Sequence, residues 1–208
     1  MSLILGLGNP GARYVGSRHN RGREVVEELA RRWRVELDVK ECGSRLSVLD
    51  RVILAIPETY MNRSGFAARC LVERRGFEPQ EMLIVYDEVA LPLGSLRLRH
   101  KGGAGGQNGM ASVLESLRTE SVPRMRLGVG PTDAVPGGVD LVDYVLSPFK
   151  DKEMEIATEQ IQRAADACEL WLEQGTEAAM NRFNSLSASG ASRPADEAAT
   201  ESSKEEED

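Results

Sequence analysis

Histidine is nearly missing from this sequence, with His19 and His100 the only two in 208 residues. Two imidazoles cannot build a zinc cluster by themselves, because catalytic and structural zinc sites draw three or four ligands from His, Cys and carboxylates. Cysteine is scarce too: Cys42, Cys70 and Cys168 are scattered with no C-x-x-C spacing, which fits a reduced, cytoplasmic setting. No apolar stretch approaches the roughly 20 residues needed to cross a bilayer, so membrane insertion is not expected. The short apolar run Leu3–Leu7 gives way to glycine and charge, unlike a signal peptide. No G-x-S-x-G elbow supplies a serine nucleophile. The glycine-rich stretch Lys101-Gly102-Gly103-Ala104-Gly105-Gly106 lacks the Gly-Lys-Ser/Thr of a phosphate-binding P-loop.

Charge is present but unevenly placed. The net charge of −7 would argue against a nucleic-acid partner if it were uniform. Residues 185–208, however, hold seven acids and two bases, leaving residues 1–184 with 26 acids against 24 bases. That segment is Ser, Ala and Glu with almost nothing to bury, so ordering it would cost entropy without compensating contacts. It reads as a disordered acidic tail, a solubilising appendix; an acidic arm mimicking nucleic acid is the alternative. Residues 1–184 read as one α/β domain, a mixed twisted β-sheet surrounded by α-helices, because strand-like and helix-like segments alternate. Strands are expected at 2–8, 51–57, 82–89, 95–99 and 124–130. Helices are expected at 19–33, 64–76, 108–118 and 149–174.

The residues that could carry chemistry cluster where these segments meet. Gly6-Leu7-Gly8-Asn9-Pro10-Gly11 matches the dinucleotide fingerprint in form, yet a loop through Tyr14, Gly16 and Ser17 intervenes before the helix. His19 opens that helix, and an imidazole is the side chain best suited to act as a base near neutral pH. Asp87 follows the apolar run Met82–Tyr86, so it should sit at the carboxyl end of a strand, where α/β sheets place their ligand crevice. An aspartate there can accept the proton on the far imidazole nitrogen and fix the tautomer. With no other nucleophile in view, water is the simplest attacking group, and Asn9, Asn62 and Asn108 could donate to a developing oxyanion; singly, each is equally a turn or cap residue. The stretch from Lys101 to Gly106, flanked by Arg97, Arg99 and His100, reads as a rim for phosphate or a ribose-containing end, or simply as a loop with solvated charges. Arg124 and Arg126 alternate on one strand face and could add to such a patch, or be a solvated face.

Taken together and in order, these blocks resemble the bacterial peptidyl-tRNA hydrolase family, from Leu3 to about Phe183. The match runs through Gly6–Gly11, Tyr14 to Asn20, Pro57-Glu-Thr-Tyr-Met-Asn-Arg-Ser-Gly65, Asp87-Glu88 and Leu91-Pro92-Leu93-Gly94. It continues through Lys101–Gly109, Arg126–Gly130, Tyr144–Phe149 and Met180–Phe183. The resemblance implies a monomer that cleaves the ester between a peptide and the 3′ ribose of tRNA, without metal or cofactor. It makes His19 the catalytic base and Asp87 its orienting partner. Asn9, Met61, Asn62 and Asn108 are implied to line the cleft, with Tyr14, Tyr60 and Gly105 in the same blocks as further substrate contacts. Arg99, Lys101 and Arg126 are implied to meet tRNA phosphate. The sequence departs from the family pattern at Gln107, often histidine, which keeps hydrogen bonding but loses a titratable group. It departs also at Arg23, Ala90 and the missing base before Pro131. The rival readings are a non-catalytic RNA-binding relative of the same fold and a dinucleotide-dependent oxidoreductase.

Overall fold

The computed structural model describes residues 1–131 and 140–184; the acidic tail expected at 185–208 lies outside them. The central strands send apolar residues alternately to two faces, and the sheet is buried by helices on both sides. The strands are β1 (Ser2–Gly6), β2 (Val39–Glu41), β3 (Ser44–Val48), β4 (Val52–Pro57), β5 (Met82–Pro92), β6 (Leu96–Arg99) and β7 (Arg124–Gly130). They form one mixed sheet in the order β2-β3-β4-β1-β5-β7-β6. The four central strands run parallel, while β2, β3 and β6 pair antiparallel at the edges.

On one face, Ile4, Leu54, Leu83, Val85, Leu98 and Met125 pack against helix α1 (Arg21–Trp33) and helix α5 (Asp151–Phe183). On the other, Leu3, Leu5, Ile53, Ile84 and Tyr86 pack against α2 (Ser64–Arg75) and α3 (Asn108–Leu117). Consecutive residues of β1 thus serve opposite cores, which is why the strand reads as an unbroken apolar run. The long stripe from Ile161 to Leu172, with Trp171 in it, packs in the core as its period suggests, while Ile156 at its start is half-buried. The helix does not stop at Gln174: Gly175 adopts φ 82°, kinks the axis, and a second helical segment continues to Phe183. A hairpin of β2 and β3 at one side of the sheet and a short helix α4 (Leu141–Leu146) add to the expected set.

The expectation that the scattered cysteines are all reduced fails for one pair. Cys42, in the β2–β3 turn, is disulfide-bonded to Cys70 on α2, with Cα atoms 5.5 Å apart, while Cys168 is free and buried. Sequence spacing gave no sign of this pair because 28 residues separate partners that only the tertiary fold brings together.

Candidate active site

The site grows from the place where β1 ends and β5 does not. Pairing between them stops at Gly6 with Val85, whereas β5 runs on along β7 as far as Pro92. Asp87 is therefore inside a strand and not at its end, but it lies just past the end of β1, where the edge of β5 is open to the chain leaving β1. That chain passes through Asn9 and two 3-10 turns, Ala12–Tyr14 and Arg18–Asn20, before α1 begins. His19 is consequently in a tight turn preceding the helix, not in the helix. Gly22 allows α1 to close down here: a Cβ on it would stand 2.0 Å from the carbonyl oxygen of Val85.

His19 and Asp87 meet. The Nδ1 atom of His19 is 2.8 Å from Oδ2 of Asp87, and both side chains are buried. A carboxylate at Nδ1 holds the proton there and leaves Nε2 with its lone pair, the tautomer a base requires. The second oxygen of Asp87 accepts from Nε2 of Gln107 at 3.0 Å. Gln107 in turn accepts, through Oε1, the amide of Met110 at 2.7 Å, capping α3. The residue that departs from the family pattern is thus a bridge between the dyad and the helix that presents Asn108. Beneath them Tyr86 is driven by burial, against the pull of Arg124, to a pKa of about 12, so its hydroxyl stays neutral.

Asn9 is locked with its oxygen turned inward. Its Oδ1 accepts the amide of Met61 at 2.8 Å, its backbone amide donates to Oδ1 of Asn20 at 2.7 Å, and its carbonyl accepts from Nδ2 of Asn20 at 3.1 Å. The amide N–H groups of Asn9 are the end left for a ligand. Asn20 received no role from the sequence, although it lies inside a quoted block; only the fold reveals it as the latch.

A cleft of about 590 Å³ opens above these groups. Asn9, His19, Tyr60, Met61, Asn62, Asp87, Gly105 and Asn108 all line it, as the sequence blocks imply. Leu141, Val142, Val145 and Leu146 of α4 form an apolar wall that the sequence reading missed, since six residues carry too little periodicity to stand out. Tyr14 is buried beside the guanidinium of Arg13 and does not contribute to the lining.

The basic residues separate into two kinds. Arg124 is buried and donates to the carbonyls of Gly102, Gly103 and Glu120, so it staples the glycine-rich loop and offers no phosphate-binding surface. Arg126 is half-buried and donates to Glu88 at 3.2 Å. Arg99 and Lys101 are exposed at the edge formed by β6. Among the described residues, no group of three or more His, Cys, Asp and Glu side chains could hold a metal ion. No helix among them is long and apolar enough to cross a membrane.

Residues 3–191 match the family model described as peptidyl-tRNA hydrolase. The chain is 44% identical to the peptidyl-tRNA hydrolase of Synechococcus sp. (strain JA-3-3Ab), over 93% of this chain and 87% of that one. It is 39% identical to that of Methylacidiphilum infernorum (isolate V4), over 88% and 97%. Among solved structures, the Acinetobacter baumannii peptidyl-tRNA hydrolase superposes with a TM-score of 0.80 at 31% identity, covering 89% of this chain and 95% of that one. A peptidyl-tRNA hydrolase in complex with N-propanol gives 0.81 at 29% identity, covering 91% and 97%. The sheet, the dyad and its cleft thus come with matches over nearly the whole length, and the chain belongs to the peptidyl-tRNA hydrolase family.

Proposed function

We propose that this enzyme hydrolyses peptidyl-tRNA by a water that His19 activates. The observation that carries the reading is the 2.8 Å pair of His19 Nδ1 and Asp87, which leaves Nε2 free beside a cleft furnished with amide donors. Water gives a proton to Nε2 as its oxygen attacks the ester carbonyl, and Asp87 stabilises the imidazolium. Neutral amides of Asn9, Asn62 and Asn108 are suited to the oxyanion and the peptide backbone. As the tetrahedral intermediate collapses, the imidazolium returns the proton to the departing ribose oxygen, releasing a peptide acid and tRNA. No metal or cofactor enters this sequence of steps.

The same chemistry accounts for sparing ordinary aminoacyl-tRNA. Its free ammonium would have to shed water against the apolar α4 wall without a partner, whereas a blocked amine carries no such cost. Tyr60 and Gly105 flank the path to the dyad, and Arg99, Lys101 and Arg126 are assigned to tRNA phosphate; Tyr14, buried outside the lining, supports the turn before His19. We assign the activity to the cytoplasm, where translation strands peptidyl-tRNA, and to a monomer, since one chain supplies every group named.

Release of the blocked amino acid from N-acetyl-aminoacyl-tRNA tests the proposal. Wild type should cleave it and spare the unblocked ester, and His19→Ala, checked for folding, should lose about 10²- to 10⁴-fold in kcat. A folded wild type that binds tRNA but releases nothing would replace the enzyme with an RNA-binding relative.

A further inference from the structure

The turn that delivers His19 into the cleft also carries a buried charge that catalysis does not use. Arg18, immediately before it, is 1% exposed. Its guanidinium lies over the rings of Tyr144, at 4.6 Å, and Phe149, at 4.5 Å. Nη2 donates to Glu153 at the start of α5, 2.8 Å away. Nε and Nη1 find no hydrogen-bond acceptor among the described residues. Aromatic faces stand in for the missing acceptors, a contact that suits a planar guanidinium best and that a lysine ammonium, which keeps the charge but not the plane, makes only in part.

The position of this stack gives it a meaning. Helix α4 buries none of its own residues, and Leu141 and Val142, which line the cleft, are 54% and 58% exposed. The wall is therefore not fixed by a core of its own. What ties it to the body is Tyr144, whose ring lies on Arg18 and whose hydroxyl donates to the carbonyl of Val129 at 2.7 Å. The chain just after it adds the amide of Arg18 to the carbonyl of Ser147 at 3.1 Å and a bridge between Ser17 and Pro148. One turn thus sets both the base and the wall that faces it. Burying an ion pair seldom adds net stability over apolar packing, and its attested use is to select one arrangement among several.

We propose that Arg18 is a positioning residue that docks the α4 wall over the cleft and so confers preference for an apolar side chain on the ester-linked residue of the peptide. The proposal rests on the hydrolase reading above. An apolar side chain beside Leu141, Val142, Val145 and Leu146 leaves water, whereas glycine gains nothing from the wall.

The test compares kcat and KM for N-acetyl-leucyl-tRNA and N-acetyl-glycyl-tRNA. The two tRNAs differ, so the quantity read is the change in the leucine-to-glycine ratio of kcat/KM between wild type and variants. Wild type should favour leucine. Arg18→Gln should lower that ratio on the order of tenfold, mostly through KM for the leucine substrate, the scale expected when an apolar pocket contact is lost. Tyr144→Leu, which is remote in sequence from His19, should lower it similarly and guards against a folding defect or a disturbed base in the first variant. Arg18→Lys should restore part of the ratio. Equal losses on both substrates, a fall in kcat at constant KM, or no leucine preference in wild type would overturn the proposal alone. Failure of wild type to cleave either ester would overturn the hydrolase reading and this inference with it.

Discussion

Asp87 has two oxygens and each has one donor, His19 on one side and Gln107 on the other. Gln107 holds the carboxylate without adding a charge, so replacing it separates geometry from electrostatics. Gln107→Leu should lower kcat about tenfold, in line with the loss of one hydrogen bond to a charged group. Gln107→Glu should lower it further and move the acid limb of the pH-rate profile upward. An added carboxylate favours the imidazolium, which must lose its proton before His19 can act as a base, so activity appears at higher pH. A profile unmoved by Gln107→Glu would mean that the glutamine serves only to cap α3. At this scale the sequence was partly legible. Residue type and order singled out His19 and Asp87, which meet, and three asparagines, which line the cleft beside them, because few side chains suit such chemistry. Arg124 and Arg126 were indistinguishable, because both alternate on one strand, and only tertiary packing makes one a staple and the other an ion-pair partner.

The long, strongly periodic elements β1, β5, β7, α1 and α3 appear within a few residues of where apolar spacing puts them, since burial enforces the period. The edge hairpin was illegible for the converse reason: Val39-Lys40-Glu41 is largely exposed and Ser44–Val48 mixes serine and arginine with its apolar residues. Such a hairpin needs an outside tether, which the Cys42–Cys70 bond to α2 supplies. Closing a loop of 28 residues corresponds to about 3.5 kcal/mol on the chain-entropy estimate. Cys70→Ser should therefore lower Tm on the order of 10 °C under oxidising conditions, and dithiothreitol should bring wild type down to the same value. Equal melting of both proteins in oxidising buffer would show that the tether is unimportant. The α1–α5 contact has its own pH dependence. Hydrogen bonds from Arg31, joined by those from Arg32, hold Glu28 down to about 2, and Arg32 reaches Asp166 on α5 at 2.6 Å. A depressed carboxylate stabilises the fold above its ordinary value of 4.5 and loses that contribution as pH falls towards 2. Melting curves should show wild type above Glu28→Gln at pH 6, with the gap closing between pH 4.5 and 2.

At the scale of the whole molecule the −7 charge conceals a local reversal. Leu96 and Leu98 of β6 point into the α1–α5 core, so Arg97 and Arg99 between and beyond them share the opposite face with Arg126, their register partner strand being β7. His100 and Lys101 follow at the same edge, exposed, where the glycine-rich loop that Arg124 fixes begins. Of these, Arg126 already answers Glu88 and Arg97 is half-buried, whereas Arg99 and Lys101 are exposed to a partner. If they meet tRNA phosphates, each contact releases condensed counterions, and log(kcat/KM) should fall with log salt by about 0.7 to 0.9 per contact. Arg99→Gln and Lys101→Gln should each flatten that slope by about one contact. The penalty should lie in KM for full-length peptidyl-tRNA and leave kcat unchanged, because neither residue lines the cleft. A blocked amino acid esterified to a single adenosine has no 5′ phosphate to hold, so its cleavage should be indifferent to both substitutions. If the variants instead slow the adenosine ester as much as the tRNA substrate, the edge of β6 acts on the cleft and not on the RNA, and the phosphate assignment fails.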